Sequence, residues 1–138
     1  MEAFMGKYNR VKSENYEDLL KELGVNVLLR KAALVSTPTF EVSKEGEVWS
    51  FKTSTVAKSM ELKFEVGKKF EETTSDGRLV DTLVTLEGPT KFVSEQTAKK
   101  DGHKSTKTIR DFQDGKCTQI TEVVGSDVKC TQVFEKTS

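Results

Sequence analysis

From Pro38 onward the chain is a succession of short alternating runs separated by turn signals, and this punctuation constrains the fold more than any other feature. Met60, Leu62, Phe64 and Val66 alternate with Glu61, Lys63 and Glu65, the period-two pattern of a half-buried strand. Turn signals recur at "KEGE", "SDGR", "EGPT", "KKDGHK", "QDGK" and "GSD". Successive strands are therefore joined by hairpins. With one strand from about Gly6 to Val11, and others near 39–44, 48–54, 59–66, 70–73, 79–86, 90–97, 106–112, 117–124 and 128–135, the count is about ten. So many consecutive hairpins in one short chain must curl or close, because an open sheet leaves unprotected edges.

Helical periodicity interrupts this pattern once. In "SENYEDLLKELG", Tyr16, Leu19, Leu20 and Leu23 follow the i, i+3, i+4, i+7 rule, with Asn15 expected to cap the start and Gly24 to end it. "NVLLRKAALVSTP" predicts a second short helix, with Asn26 as its cap and Pro38 beyond its end. The two form a helical hairpin. A groove-reading helix needs a polar, basic face, whereas Val27, Leu28 and Leu29 are consecutive apolar residues, which argues against DNA binding.

Charge balance narrows the partners further. The 22 basic and 22 acidic residues cancel, so no global field recruits nucleic acid or an anionic membrane. No apolar run approaches the ~18 residues that span a bilayer. At 138 residues the chain is expected to be one domain over 1–138. The opening "MEAFMGKYNR" has no hydrophobic signal region, and Cys117 and Cys130 sit in separate strand-like runs; free thiols in a reducing cytosol are expected.

A closed meander of this size need not be filled by its own side chains. Its predicted inward faces mix polar with apolar residues. Thr82 accompanies Val80, Val84 and Leu86; Ser94 and Gln96 accompany Phe92; Thr106, Thr108 and Arg110 accompany Phe112; Gln119 and Thr121 accompany Cys117 and Val123. In "VKCTQVFEK", Val128, Cys130, Gln132 and Phe134 share one face, apolar but for one amide. A dry core does not tolerate this many polar groups, so the interior is expected to be a cavity containing at least one permanent cation, Arg110. The alternative for Arg110 is a solvent-facing position beside Asp111 and Asp114.

Catalytic and metal roles find no support. His103 is the only histidine and lies in a turn, and the two cysteines are isolated. Glu71 with Glu72, and Glu17 with Asp18, read as an exposed stretch and a helix start, without an accompanying nucleophile or phosphate loop. Trp49 and Phe51 read as packing residues. No enzyme activity and no cofactor are expected.

Several stretches resemble the intracellular lipid-binding proteins, the fatty-acid-binding and cellular retinoid-binding group. They are "GKYNRVKSENYEDLLKELGV", "RKAA" followed by "TPT", "FEETTSDGR", "IRDF" with "DGK", and "CTQVFEK" at the end. The resemblance spans the whole chain in order. It implies an all-β, ten-stranded antiparallel up-and-down β-barrel of lipocalin-like (calycin) type, capped by a two-helix lid over about 15–35 and enclosing one lipid.

In most members of the group an Arg-x-Tyr pair on the last strand and a further Arg two strands earlier hold the ligand carboxylate. Arg110 matches the earlier position, but the last strand carries Gln132 and Phe134. Retinol-binding members resemble this chain in their Gln-x-Phe; intestinal-type fatty-acid binders resemble it in relying on the Arg110 position with a nearby Gln, here Gln119, and in carrying Phe at the Phe134 position. The resemblance thus implies a long-chain fatty acid held by Arg110 with Gln119 and Gln132, its tail along Phe134, Tyr16, Leu20, Leu29 and Ala33. A retinoid, retinol or retinoic acid, is the alternative ligand.

Two departures from the group stand out. "STVAKS" places Ala57 where many fatty-acid binders have a portal Phe, and Arg10 stands where an apolar residue is usual, which suggests a surface or loop placement. Lys21, Arg30 and Lys31 resemble a nuclear-import patch found on the lid of some members, with ordinary helix solvation as the simpler reading. That patch would make the protein a ligand-switched adaptor entering the nucleus as well as a cytoplasmic monomeric carrier. The group also suggests transient membrane contact through the lid; since Glu14, Glu17, Asp18 and Glu22 make the first helix acidic, electrostatic docking would use the second.

Overall fold

The computed structural model describes residues 5–35, 37–55, 59–74 and 77–137. The alternating runs form ten strands: β1 (Gly6–Glu14), β2 (Thr39–Glu45), β3 (Val48–Ser54), β4 (Ser59–Glu65), β5 (Phe70–Thr73), β6 (Leu79–Glu87), β7 (Lys91–Ala98), β8 (Thr106–Gln113), β9 (Lys116–Val123) and β10 (Lys129–Lys136). They pair antiparallel in the order β4-β3-β2-β1-β10-β9-β8-β7-β6-β5. Each strand neighbours its sequence neighbour except at one place, where β1 meets β10 and joins the two ends of the chain. The ten strands curl into a nearly closed up-and-down barrel. β4 and β5 are the two ends of that order, and the turn after β4 reaches across it: the Gly67 amide donates to the Val84 carbonyl of β6 at 2.8 Å.

β1 runs three residues past the expected Val11. Arg10 pairs with Phe134 and Lys12 with the next residue back, Val133, so Val11 is the extra residue of a bulge. That insertion lets the strand bend toward the lid without losing its ladder to β10.

Two helices, α1 (Tyr16–Glu22) and α2 (Val27–Val35), follow β1. The two predicted caps differ in outcome. Asn26 caps α2, its Oδ1 accepting from the Leu29 amide at 2.9 Å. Asn15 sits at the N-cap of α1 but in the left-handed region, φ 62°, and makes no side-chain cap bond. Its side chain instead donates from Nδ2 to the Lys129 carbonyl at 3.3 Å, tying the start of α1 to β10. At the other end, Gly24 at φ 82° lets the Val25 amide reach Leu20 O and the Gly24 amide reach Lys21 O, the paired closure of a Schellman motif. Leu19, with Tyr16 and Leu23 against it, packs on Val123 and Cys130, which seats α1 on the rim formed by β9 and β10.

The core is concentrated at one end of the barrel. Tyr8, Phe40, Trp49, Phe51, Phe64, Phe92, Phe112 and Phe134 are all buried in one cluster. Ring centroids lie 4.9 Å apart for Phe51 and Phe64 and 5.0 Å for Trp49 and Phe92, both edge to face, the arrangement that aromatic quadrupoles favour. Trp49 and Phe51 are packing residues, as their strand pattern implies.

Candidate functional site

The predicted inward faces are the inward faces. Val80, Thr82 and Val84 are wholly buried, and Ser94, Thr106, Thr108, Cys117, Cys130, Gln132 and Phe134 are buried with them. Arg110 belongs to this set, not to the solvent beside Asp111. Strand register places Ser13, Gln132, Gln119 and Arg110 directly opposite one another on β1, β10, β9 and β8. Residues paired across an antiparallel ladder project from the same face, so Gln132, Gln119 and Arg110 lie side by side on the inner wall, with exposed Ser13 at the end of the row.

The row is hydrogen-bonded from end to end. Arg110 Nε donates to Gln119 Oε1 at 3.1 Å, Gln119 Nε2 donates to Gln132 Oε1 at 3.3 Å, and Gln132 Nε2 donates to Ser13 Oγ at 3.3 Å. All three bonds point away from the guanidinium, so its charge polarises the chain in one direction. The guanidinium carbon itself lies 5.3 Å from the Phe51 ring centroid and 5.8 Å from that of Phe40, held by cation–π attraction on the far wall. Gln132 is thus a link in a ladder, and its burial is satisfied by two partners.

Arg110 is enclosed by protein, and desolvation pulls its pKa down, opposed by the nearby Cys117 and Glu72, which favour its charge. Yet the residue keeps partial solvent accessibility, as do Gln119, Thr121 and Gln96 on the same interior surface.

A second polar chain runs along the neighbouring wall. Glu72 Oε1 accepts from Thr82 Oγ1 at 2.5 Å and from Gln96 Nε2 at 2.8 Å. Thr106 Oγ1 donates to Gln96 Oε1 at 2.5 Å, and Arg78 Nη1 donates to Thr106 Oγ1 at 3.4 Å and to the Lys104 carbonyl at 2.8 Å. Reading Glu71 and Glu72 together as an exposed stretch is therefore corrected. Glu71 is exposed and paired with Lys99, whereas Glu72 turns inward. The signal was available: Glu72 is two residues from Phe70, so period two places both on one face. Ser94 Oγ is buried in the same wall, and among the described residues it has no hydrogen-bond partner.

Arg10 is also corrected from a surface residue to an interior one. It pairs with buried Phe134 and follows buried Tyr8 by two positions, so its side chain leaves the strand on the inner face. Its guanidinium carbon lies 5.5 Å from the Tyr16 ring centroid, under α1. Burial pushes the nearby Cys130 thiol up to about 11, and the Arg10 charge opposes that rise.

The lid residues separate in placement. Leu20 is buried, Tyr16 packs on the cluster at the barrel rim, and Ala33 is half-buried. Leu29, expected among the tail contacts, is 58 % exposed, with Val27 and Leu28 also exposed. Three consecutive residues at about 100° each cannot share one helix face. Of the basic trio, Lys21 and Lys31 are exposed, while Arg30 is half-buried and donates from Nη1 to the Val25 carbonyl at 2.8 Å. Ala57 lies outside the described residues. His103 sits in the turn after β7, its amide bonded to the Lys100 carbonyl. Among the described residues no group of three or more His, Cys, Asp or Glu side chains is placed to hold a metal ion, and no helix is long and apolar enough to cross a membrane.

A barrel of ten antiparallel strands with two helices between the first and second is also what comparison with known proteins finds. The model of the lipocalin / cytosolic fatty-acid binding protein family matches residues 5–137. The chain belongs to that family. Cellular retinoic acid-binding protein 2 of Bos taurus is 42 % identical over 137 residues, covering 97 % of this chain and 98 % of the relative. Fatty acid-binding protein homolog 8 of Caenorhabditis elegans is 38 % identical over 136 residues, covering 99 % and 97 %. The crystal structure of apo lipid binding protein 8 from Caenorhabditis elegans superposes with a TM-score of 0.93 at 37 % identity, covering 99 % of this chain and 97 % of that one. Membership accounts for the barrel and the helical hairpin. Gln132, Phe134 and Arg10 leave their strands on the inner face of this barrel.

Proposed function

We propose that the protein is a non-enzymatic intracellular carrier that holds one long-chain fatty acid inside the barrel, with the carboxylate anchored by Arg110. The observation that carries this reading is Arg110 itself: a permanent cation enclosed by protein on the inner face of the barrel, braced through Nε by Gln119 and through its face by Phe40 and Phe51. A carboxylate is the partner such a group lacks on its own strand face, and charge-assisted bonds to it are worth roughly twice a neutral one. Gln119 and Gln132 serve as the brace that keeps the guanidinium aimed. The tail runs along apolar wall residues toward Tyr16, Leu20 and Ala33, and Phe134 closes the wall beside the anchor.

Burying a chain of ~16 carbons at ~0.8 kcal/mol per methylene gives a gross ~12 kcal/mol before ordering costs, consistent with nanomolar to micromolar affinity. A retinoid is the second reading, favoured by the relative named for retinoic acid. Relatives named for fatty acid and for retinoic acid share one chemistry, a carboxyl group on a long apolar body. Retinol is disfavoured because both polar atoms of the Gln132 amide are engaged in the wall ladder.

Exposed Val27, Leu28 and Leu29 on α2 suit transient contact with a membrane surface, and exposed Lys21 and Lys31 leave the nuclear-adaptor reading with two of its three cations fully presented. Fluorescence titration of wild type and Arg110→Gln with oleate, retinoic acid and retinol tests the anchor. Oleate and retinoic acid should bind wild type more tightly than retinol and lose affinity in the variant. Oleate binding that is indifferent to Arg110→Gln refutes the anchor.

A further inference from the structure

Between the two hydrogen-bonded chains of the inner wall lies a row of hydroxyls that neither chain uses. Strand register sets Ser94 of β7 opposite Thr108 of β8, and Thr108 opposite Thr121 of β9. Val84 of β6 and Cys130 of β10 continue the row on either side. On one flank stand Thr82, Gln96 and Thr106, all engaged in the chain that ends on Glu72. On the other stand Arg110, Gln119 and Gln132, engaged in theirs. The Ser94 hydroxyl, on a residue only 3 % exposed, has no hydrogen-bond partner among the described residues. Nor, among the described residues, do the side chains of buried Thr108 and half-buried Thr121 hydrogen-bond to another group. Buried polar groups are ordinarily paired, as every one in the two flanking rows is, so the middle row is the exception.

We infer that Ser94, Thr108 and Thr121 form a second polar subsite that receives a hydroxyl on the ligand chain, so that the carried acid is a hydroxylated fatty acid. This rests on the carboxylate-carrier reading above and adds a second polar group to the ligand. The strands give the direction. Thr106 pairs with Val123, which touches Leu19 of α1, whereas Phe112 belongs to the aromatic cluster at the other end. Thr108 therefore lies on the lid side of Arg110, two residues along the same strand face. A chain that leaves Arg110 for the lid crosses the hydroxyl row about 7 Å on, roughly the length of its first six carbons. A hydroxyl both donates and accepts, so one on the ligand can bond to two of the three that line the row. A methylene at the same point leaves Ser94 unpaired.

Titration calorimetry with palmitic acid, and with its analogues hydroxylated on the sixth or on the terminal carbon, tests the subsite. Wild type should bind the sixth-carbon hydroxy acid about fivefold more tightly than palmitate, the worth of one net hydrogen bond. The double variant Ser94→Ala with Thr108→Val removes two hydroxyls at nearly constant volume and should reverse that order, the hydroxy acid falling about tenfold relative to palmitate. The terminal-carbon analogue should keep its affinity relative to palmitate in the same variant. Palmitate bound by wild type as tightly as the sixth-carbon hydroxy acid, or more tightly, overturns the inference without recourse to any variant and leaves the row to ordered water. Equal losses of all three acids in the double variant also overturn it, by making the hydroxyls part of the fold alone. Failure of palmitate itself to bind wild type, or to respond to Arg110→Gln, strikes instead at the carrier reading.

Discussion

The two halves of the barrel interior are built on opposite rules. At one end eight aromatic side chains pack together, several pairs edge to face, and every one is buried. Along β5 to β10 and β1, inward positions carry amides, hydroxyls, a carboxylate and guanidiniums joined in hydrogen-bonded chains. The aromatic end is where burial of apolar surface stabilises the fold. The polar wall contributes little net stability, because each bond there replaces one to water and the charged groups bear desolvation. What the wall provides instead is a fixed arrangement of charge on the inner face of the barrel.

Substitutions can break this division. Phe92 is fully buried and meets Trp49, Phe51 and Phe112, so Phe92→Ala should cost about 3–5 kcal/mol in urea denaturation. A loss below about 1 kcal/mol would place the stabilising core elsewhere. Arg110→Gln should do the reverse: oleate affinity falls roughly 10- to 100-fold by titration calorimetry, while the urea midpoint holds or rises as a desolvated charge is removed. A large loss of stability with unchanged binding would invert the comparison.

A smaller effect should come from pH. Burial pushes the Cys117 thiol up to about 12, with Arg110 pulling it back and Asp111 adding to the rise, and burial likewise pushes Tyr8 up to about 12. Both groups keep their protons in the fold at pH values where the unfolded chain, with a thiol near 9 and a phenol near 10, has lost them. The folded state binds more protons in that window, so stability is fully present below pH 9 and declines as pH rises from 9 toward 12. Urea midpoints measured across that range should fall, and Cys117→Ala should flatten the slope. Gln132→Leu should show the least: oleate affinity weakens by less than about tenfold, since the amide acts on the ligand only by bracing Gln119.

Much of this was legible in the chain. Hairpin punctuation after Pro38 and the alternation of each run place Thr82, Ser94, Thr108, Arg110, Gln119 and Gln132 on the inner face, and the structure buries or encloses them all. The same rule applied to Phe70 and Glu72 would have found the interior carboxylate, but an acidic pair in a short strand reads first as exposed. Arg10 was hidden by an expectation about residue type; only its pairing with Phe134 turns it inward. Asn15 shows a further limit, since its side chain could cap α1 and the backbone at φ 62° directs it to Lys129 instead.

Period, turn chemistry and residue type are local properties, and from them the sequence by itself determined the strands, their hairpin order, the helical hairpin and the side of each strand that faces in. Register across strands distant in the chain was decided only by the tertiary structure. β1 meets β10 more than a hundred residues later, and that pairing aligns Ser13 with Gln132 and Arg10 with Phe134. Which polar groups become neighbours depends on those alignments, because a hydrogen bond acts over about 3 Å and a strand spacing is about 4.8 Å. The row of aimed amides and the Arg10 guanidinium beneath Tyr16 are products of closure.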